Sequence, residues 1–325
     1  MPPCLAIKFQ KNYNLKMVFP KYTVKSALGA LVATLPWGGR RAILDRLIQD
    51  VGCFQLLTEL GERLHVEGIT VCGENGTFLG PLHDPDLFGR YATEGSWSMA
   101  TVRMFQSFFG QQGGTYLDIG ANIGLTLVPI ASRRNVQCHG FEPAPRNFMY
   151  LSHNVKDTCP YGNVVLHQVA LFDRQGEASM ELSAFNCGDN QLRRNGDARA
   201  SGEVITVATE RLDSVIDVAD MRFPLAVKID TQGAEPGIFA GGNRVLSAAS
   251  LMSLEFWPFG MHQIGTEPEN ELVFLENTFR EGTAVSGDTS EGADWRPIKE
   301  IVQRLREHWN DPMVGKRYLD VVVRK

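Results

Sequence analysis

The sequence is short of the features that assign a chain at once. It has no run of roughly 20 apolar residues, the length a membrane-spanning helix needs. The longest apolar stretch near its start, 27–37, is interrupted by Gly29, Thr34 and Pro36, and reads as neither an anchor nor a signal peptide. The six cysteines (Cys4, Cys53, Cys72, Cys138, Cys159, Cys187) never form a CxxC pair, which argues against a zinc site and leaves small buried thiols in a reducing compartment. No internal repeat is visible. A net charge of −5 offers no general attraction for nucleic acid, so no such partner is expected. With 43% apolar and 21% charged residues in 325, what remains is a soluble globular chain, expected in the cytoplasm.

Charge is unevenly placed. Residues 1–50 carry eight Lys or Arg against Asp45 and Asp50, a balance of +6 that leaves −11 for the rest. This fits a basic helical extension packed on an acidic body, or a peripheral contact with anionic lipid. An N-terminal extension over 1–90 is expected. In it, two helical segments at 23–61 are split by Pro36-Trp37-Gly38-Gly39, and Ile43, Leu47, Val51, Phe54 and Leu57 recur at helical spacing. Residues 64–82 alternate like a hairpin around Glu74-Asn75-Gly76, 83–95 read as loop, and Ser96 is placed to cap a helix to Phe109.

From 91 to 325 the pattern predicts one α/β domain. Strands are expected at 115–119, 136–141, 164–170, 225–230, 250–256, 283–286 and 318–324. Helices are expected near 124–132, 145–155, 209–217, 235–247, 268–280 and 297–308. Such alternation gives a Rossmann-like, largely parallel sheet with helices on both faces. Residues 171–206 interrupt it, with strand-like pieces at 178–184 and 203–207 around a polar loop, 186–202. That loop reads equally as a binding loop and as a surface insertion.

The most telling stretch is Tyr116-Leu117-Asp118-Ile119-Gly120-Ala121-Asn122-Ile123-Gly124, with Glu142 ending the next apolar run. A buried strand enters a glycine-permitted turn and a helix is expected to start near Gly124. Its free N–H groups would suit a carboxylate. Glu142 is placed to accept hydrogen bonds from two ribose hydroxyls. The NAD fingerprint G-x-G-x-x-G is missing, because Asn122 stands between Gly120 and Gly124. Asp118 suits an ammonium better than a pyrophosphate, so the expected ligand is S-adenosylmethionine. Ala170, at the end of the third strand, is expected beside the adenine.

The fourth strand supplies Lys228, Asp230 and Glu235, and the fifth ends in Glu255 before a loop with His262. Lys228 and Asp230 share one strand face and are costly to bury unless paired or used. Asp230 is the first choice as a base for a hydroxyl, His262 the second, with Lys228 orienting Asp230. Glu235 and Glu255 are candidate substrate contacts. Asp230, Glu235, Glu255 and His262 could also be read as metal ligands, but their spacing is not diagnostic and no metal is expected.

Four elements in this order resemble the FkbM-type S-adenosylmethionine-dependent methyltransferases: Asp118–Gly124, Phe141-Glu142-Pro143-Ala144-Pro145, Lys228–Glu235 and Leu254-Glu255. Glu94-Gly95 is similar to an acidic position upstream of the family's first core helix, and Pro143 joins Glu142 in the cofactor set. The resemblance spans about residues 90–260. It implies a seven-stranded methyltransferase sheet and transfer to a hydroxyl of a small molecule or glycan, on sugars of glycans or glycolipids or on polyketide-type products. A non-catalytic S-adenosylmethionine-binding protein is the alternative. The chain departs from the family where Gln232 replaces a usual Glu, and in the run Thr209-Glu210-Arg211-Leu212-Asp213.

Overall fold

A computed structural model describes residues 68–183, 186–193, 202–285, 294–311 and 317–325. The helical segments read at 23–61 and the basic region 1–50 lie outside the described residues. The chain divides into two compact units, Met1–Ser96 and Trp97–Lys325.

In the first unit, β1 (Gly68–Gly73) and β2 (Gly76–Pro81) form an antiparallel hairpin. The two-residue turn is Glu74-Asn75, and Gly76 follows it at φ 131°, a conformation that side chains avoid. The stretch 83–95 is not all loop, because Phe88–Glu94 is a helix. Asp84 Oδ1 accepts the N–H groups of Asp86 (3.1 Å) and Leu87 (2.8 Å) just before it, and Gly95 at φ 75° ends it. Its buried Phe88, Tyr91 and Ala92 make one face, but seven residues between two turn-like sequences are too few for a helical period to show. The Tyr91 hydroxyl donates to the Gly76 carbonyl at 2.6 Å and ties helix to hairpin.

The second unit starts with the helix Met99–Phe109, preceded by Ser98 rather than Ser96. Its strands are β3 (Gly114–Ile119), β4 (Val136–Phe141), β5 (Val164–His167), β6 (Ala170–Leu171), β7 (Gly176–Leu182), β8 (Gln191–Arg193), β9 (Glu203–Glu210), β10 (Leu225–Ile229), β11 (Leu251–Phe256), β12 (Glu281–Val285), β13 (Arg296–Pro297) and β14 (Leu319–Arg324). The main sheet runs β13-β12-β14-β11-β10-β3-β4-β5. Seven of these strands coincide with those read from the sequence. The eighth, β13, has two residues and carries no pattern. β14 lies antiparallel between β11 and β12, while β11, β10, β3, β4 and β5 are parallel.

β3, β10 and β11 are buried almost throughout, so both faces of the sheet centre are covered, as their continuous apolar runs require. The chain winds from β3 through β4 to β5 on one side and returns through β10 and β11 on the other. The reversal between β3 and β10 opens a crevice at the carboxyl ends of these strands.

Several boundaries differ from the sequence reading. The helix expected over 209–217 is only Leu212–Val215, because β9 runs on to Glu210. β5 stops at His167, and Ala170-Leu171 instead pairs with β9 in a separate four-stranded sheet, β6-β9-β7-β8, built from the insertion. The helix near 124 begins only at Leu127 and ends at Ala131. The helix expected over 235–247 is two, Glu235–Gly241 and Asn243–Ser247, separated at Gly242.

Candidate active site

β3 brings Asp118 and β10 brings Lys228 into direct register. The Lys228 ammonium lies 3.1 Å from Asp230 Oδ2 and 3.6 Å from Asp118 Oδ1, spanning two acids from adjacent strands. Burial alone would lower the Lys228 pKa, but Asp230 and Asp118 outweigh it and the net shift is upward, so the amine stays charged. Asp118 is fully buried, and burial pushes its carboxyl up against the pull of Lys228 and Thr126. The Thr126 hydroxyl donates to Oδ2 at 2.7 Å, whereas Oδ1 is buried with no hydrogen-bond donor among the described residues.

Beyond Asp118 the chain needs its glycine. Gly120 sits at φ 83°, and a Cβ there would lie 1.9 Å from the Asp230 carbonyl oxygen. Gly124, at φ 96°, keeps the next turn irregular, which is why the helix starts late. A long helix presenting free N–H groups at Gly124 is therefore not formed. The turn works through Asn122 instead, which adopts φ 51° and donates its main-chain N–H to Glu142 Oε2 at 2.9 Å. Glu142 Oε1 accepts the Ala144 N–H at the same length. Burial raises Glu142 to about 7 in spite of these two N–H groups. Pro143 is half-buried and leads into the helix Pro145–Thr158. Ala170 is buried at the start of β6.

On the other side of the crevice Gln232 takes the left-handed conformation, φ 59°. Its amide nitrogen donates to Asp230 Oδ1 at 3.1 Å and to Glu255 Oε2 at 3.0 Å. One neutral side chain thus bridges the acids that end β10 and β11. Burial, then Asp230, Glu235 and Asp320, push the Glu255 carboxyl well up, with Lys228 opposing them. The Asp230 side chain is 40% exposed, whereas Asp118 and Glu142 are buried.

Two residues read as site candidates, Glu235 and His262, are placed differently. Glu235 is sealed in the interior, where Oε1 accepts both the N–H and the hydroxyl of Thr231 at 2.9 Å. It orders the Thr231 turn and does not open on the crevice, and burial raises it to about 7. His262 is not in a loop but on the helix Pro258–Ile264, and its exposed ring stacks on Trp309 with centroids 4.1 Å apart. Glu94 ends the helix of the first unit and pairs with Arg90 at 3.2 Å. Among the described residues no group of three or more His, Cys, Asp or Glu side chains could hold a metal ion. No helix among them is long and apolar enough to cross a membrane.

Thr126 and Gln191 escaped the sequence reading. Thr126 is polar in an apolar stretch, which was a signal. Gln191 donates to the Gln232 carbonyl at 2.6 Å from a distant insertion, and nothing local announces it.

A model of the methyltransferase FkbM domain matches residues 118–291, a span containing Asp118, Glu142, Lys228, Asp230, Gln232 and Glu255. The chain belongs to the FkbM methyltransferase family. Hexuronic acid methyltransferase AglP of Haloferax volcanii is 28% identical over 159 residues, 49% of this chain and 59% of that protein. The chain therefore spans less than two thirds of that relative's length. Among solved structures, magnesium protoporphyrin IX methyltransferase (ChlM) of Synechocystis PCC 6803 with bound SAM is similar at TM-score 0.37 and 11% identity, covering 70% of this chain and 78% of that one. Precorrin-6y C5,15-methyltransferase of Geobacter metallireducens is similar at TM-score 0.34 and 13% identity, covering 70% and 88%.

The FkbM domain is an S-adenosylmethionine-dependent methyltransferase domain, and this crevice fits that cofactor. Asp118 Oδ1 has no hydrogen-bond donor among the described residues, with the Lys228 ammonium 3.6 Å away, and so keeps capacity for a further polar partner. Gly120, without a Cβ, lets the turn after β3 pass directly against the Asp230 carbonyl. Glu142 ends β4 with both oxygens fixed by main-chain N–H groups and lone pairs still available.

Proposed function

We propose that this FkbM chain transfers a methyl group from S-adenosylmethionine to a hydroxyl oxygen, with a sugar as acceptor. The observation that carries the reading is Asp230. It stands at the carboxyl end of β10, 40% exposed, with one oxygen held by Lys228 and the other by Gln232. Both oxygens are oriented, and each keeps capacity for the proton of a hydroxyl. Glu142 and Asp118 hold the donor's ribose and its amino-acid end, and Ala170 and Pro143 border the adenine side. Bound there, the cofactor supplies a sulfonium methyl as electrophile. The crevice residues do the rest: they hold donor and acceptor in line, and Asp230 accepts the hydroxyl proton. Glu255, whose carboxyl burial pushes well up, lies beside Asp230 on the Gln232 bridge and is placed to contact the acceptor. The sugar class is supported by the 28% identity to a hexuronic acid methyltransferase.

The test combines two measurements. Calorimetry should show S-adenosylhomocysteine binding. Methyl-labelled S-adenosylmethionine, incubated with glucuronate, galacturonate, glucose and mannose conjugates, should label at least one of them, with the label in an alkali-stable methyl ether by mass spectrometry. Label recovered as an alkali-labile ester would move the reaction from hydroxyl to carboxylate.

A further inference from the structure

Residues of the insertion cross the crevice from one end to the other. The short 3-10 turn Cys187–Asp189 and the strand β8 that follows touch both ends of the site. At the cofactor end the Cys187 carbonyl accepts the side-chain amides of Asn122 (3.1 Å) and Asn147 (3.0 Å), and the Cys187 thiol donates to Asn122 Oδ1 at 3.3 Å. At the acceptor end, four residues later, buried Gln191 donates to the Gln232 carbonyl at 2.6 Å. The two residues gripped in this way, Asn122 and Gln232, are both non-glycine residues at left-handed φ, 51° and 59°. That conformation persists only where surrounding contacts over-determine it. Asn122 in turn presents the N–H that fixes Glu142, and Gln232 presents the amide that bridges Asp230 and Glu255.

We propose that residues 187–191 are a strap that sets the cofactor turn against the acceptor edge. Gln191 is its positioning residue, acting through Gln232 on Asp230 and Glu255. The strap rests on the methyltransferase reading for its purpose, though not for its mechanics. Opened at Gln191, it loses its grip on Gln232, and the disturbance reaches Cys187 at the far end.

Cys187 is therefore the reporter. It is buried, so iodoacetamide reaches its thiol only when the strap opens, and the alkylation rate follows the open population. The full chain is alkylated and each cysteine is followed by mass spectrometry, with calorimetry against S-adenosylhomocysteine alongside. Gln191→Met keeps the volume and removes the donor. It should raise the Cys187 rate about ten-fold, the effect of one ordinary hydrogen bond, while the core thiols Cys138 and Cys159 stay as slow as before. Gln191→Lys keeps a donor long enough to reach the Gln232 carbonyl and should return Cys187 to its protected rate. S-adenosylhomocysteine should slow the Cys187 reaction further in the unaltered chain and lose that effect in Gln191→Met.

An unchanged Cys187 rate in Gln191→Met would overturn the strap. So would a parallel acceleration of Cys138 and Cys159, which marks general loosening, or a failure of Gln191→Lys to protect. If the unaltered chain binds no S-adenosylhomocysteine, the methyltransferase reading fails on its own, while the alkylation pattern still decides whether the strap exists.

Discussion

The two ends of the crevice hold their acids by different means. Glu142 is fixed by the main-chain N–H groups of Asn122 and Ala144. Asp230 and Glu255 are fixed by side chains, those of Lys228 and Gln232. A main-chain clamp is insensitive to most side-chain substitutions provided the turn keeps its shape. A side-chain clamp changes with every residue in it. The same sheet edge can thus keep one end constant while the other is retuned by side-chain substitution.

The largest effect that tests this division is expected at Asp230. Asp230→Asn keeps the shape and removes the proposed base. Methyl transfer should fall by about 10²–10⁴-fold, the usual worth of a positioned general base. The comparison sharpens if S-adenosylhomocysteine affinity, measured by calorimetry, moves by less than about three-fold, well under one hydrogen bond to a charged group. A matching loss of affinity would mean that the two ends are not separate. At the other end, Glu142→Gln should weaken S-adenosylhomocysteine by about 10–100-fold, because hydrogen bonds to a charged acceptor are worth about 1.5–3 kcal/mol.

Gln232→Glu comes next, and it acts on the side-chain clamp alone. It removes the donor shared by Asp230 and Glu255 and adds a third carboxyl between them. Repulsion and burial would raise the new carboxyl's folded pKa above its unfolded value. Its contribution to stability is then fully present below the unfolded pKa and is lost as pH rises through the folded one. The unfolding free energy of Gln232→Glu should therefore match that of the unaltered chain near pH 5 and fall behind it by pH 8, by about 1–3 kcal/mol. Equal melting curves at both pH values would show that the bridge by Gln232 contributes little.

The same contrast explains what could be read from the sequence. The strand–turn–strand carrying Asp118, Gly120, Asn122 and Glu142 was legible because main-chain geometry imposes its residue types and spacing. Lys228 and Asp230 were legible as charges two apart on a buried strand. Seven sheet strands were legible from their apolar runs. The role of Gln232 was not, because a bridge between Asp230 and Glu255 depends on the parallel pairing of β10 with β11. Gln191 was hidden for the same reason, 41 residues from its partner. Glu235 was misplaced because an acid in the first turn of a helix reads alike whether it faces solvent or the interior. His262 looked like a loop residue because Trp257-Pro258-Phe259-Gly260 suggests a turn, whereas Pro258 opens a helix.

Glu235 supplies the smallest and most local prediction. Its Oε1 is satisfied by Thr231, while Oε2 is buried with no hydrogen-bond partner among the described residues. Burial raises it from 4.5 to about 7, so the folded state binds the proton more tightly than the unfolded chain. The stability this gives is complete below pH 4.5 and is lost as pH rises through 7. Glu235→Gln keeps an acceptor for Thr231, replaces the second carboxylate oxygen with a neutral amide NH2, and does not titrate. Its unfolding free energy should fall less steeply between pH 5 and 8 than that of the unaltered chain. The gain at pH 8 should be about 1–3 kcal/mol, after the burial cost of the new amide is set against the charge removed. Glu142, raised to about 7 by the same cause, continues to titrate in that variant. Part of the slope should therefore survive in Glu235→Gln and flatten on adding S-adenosylhomocysteine, whose ribose would favour the ionised Glu142. A slope that disappears entirely would place the titration in Glu235 alone and remove Glu142 from the pH-sensitive groups of the crevice.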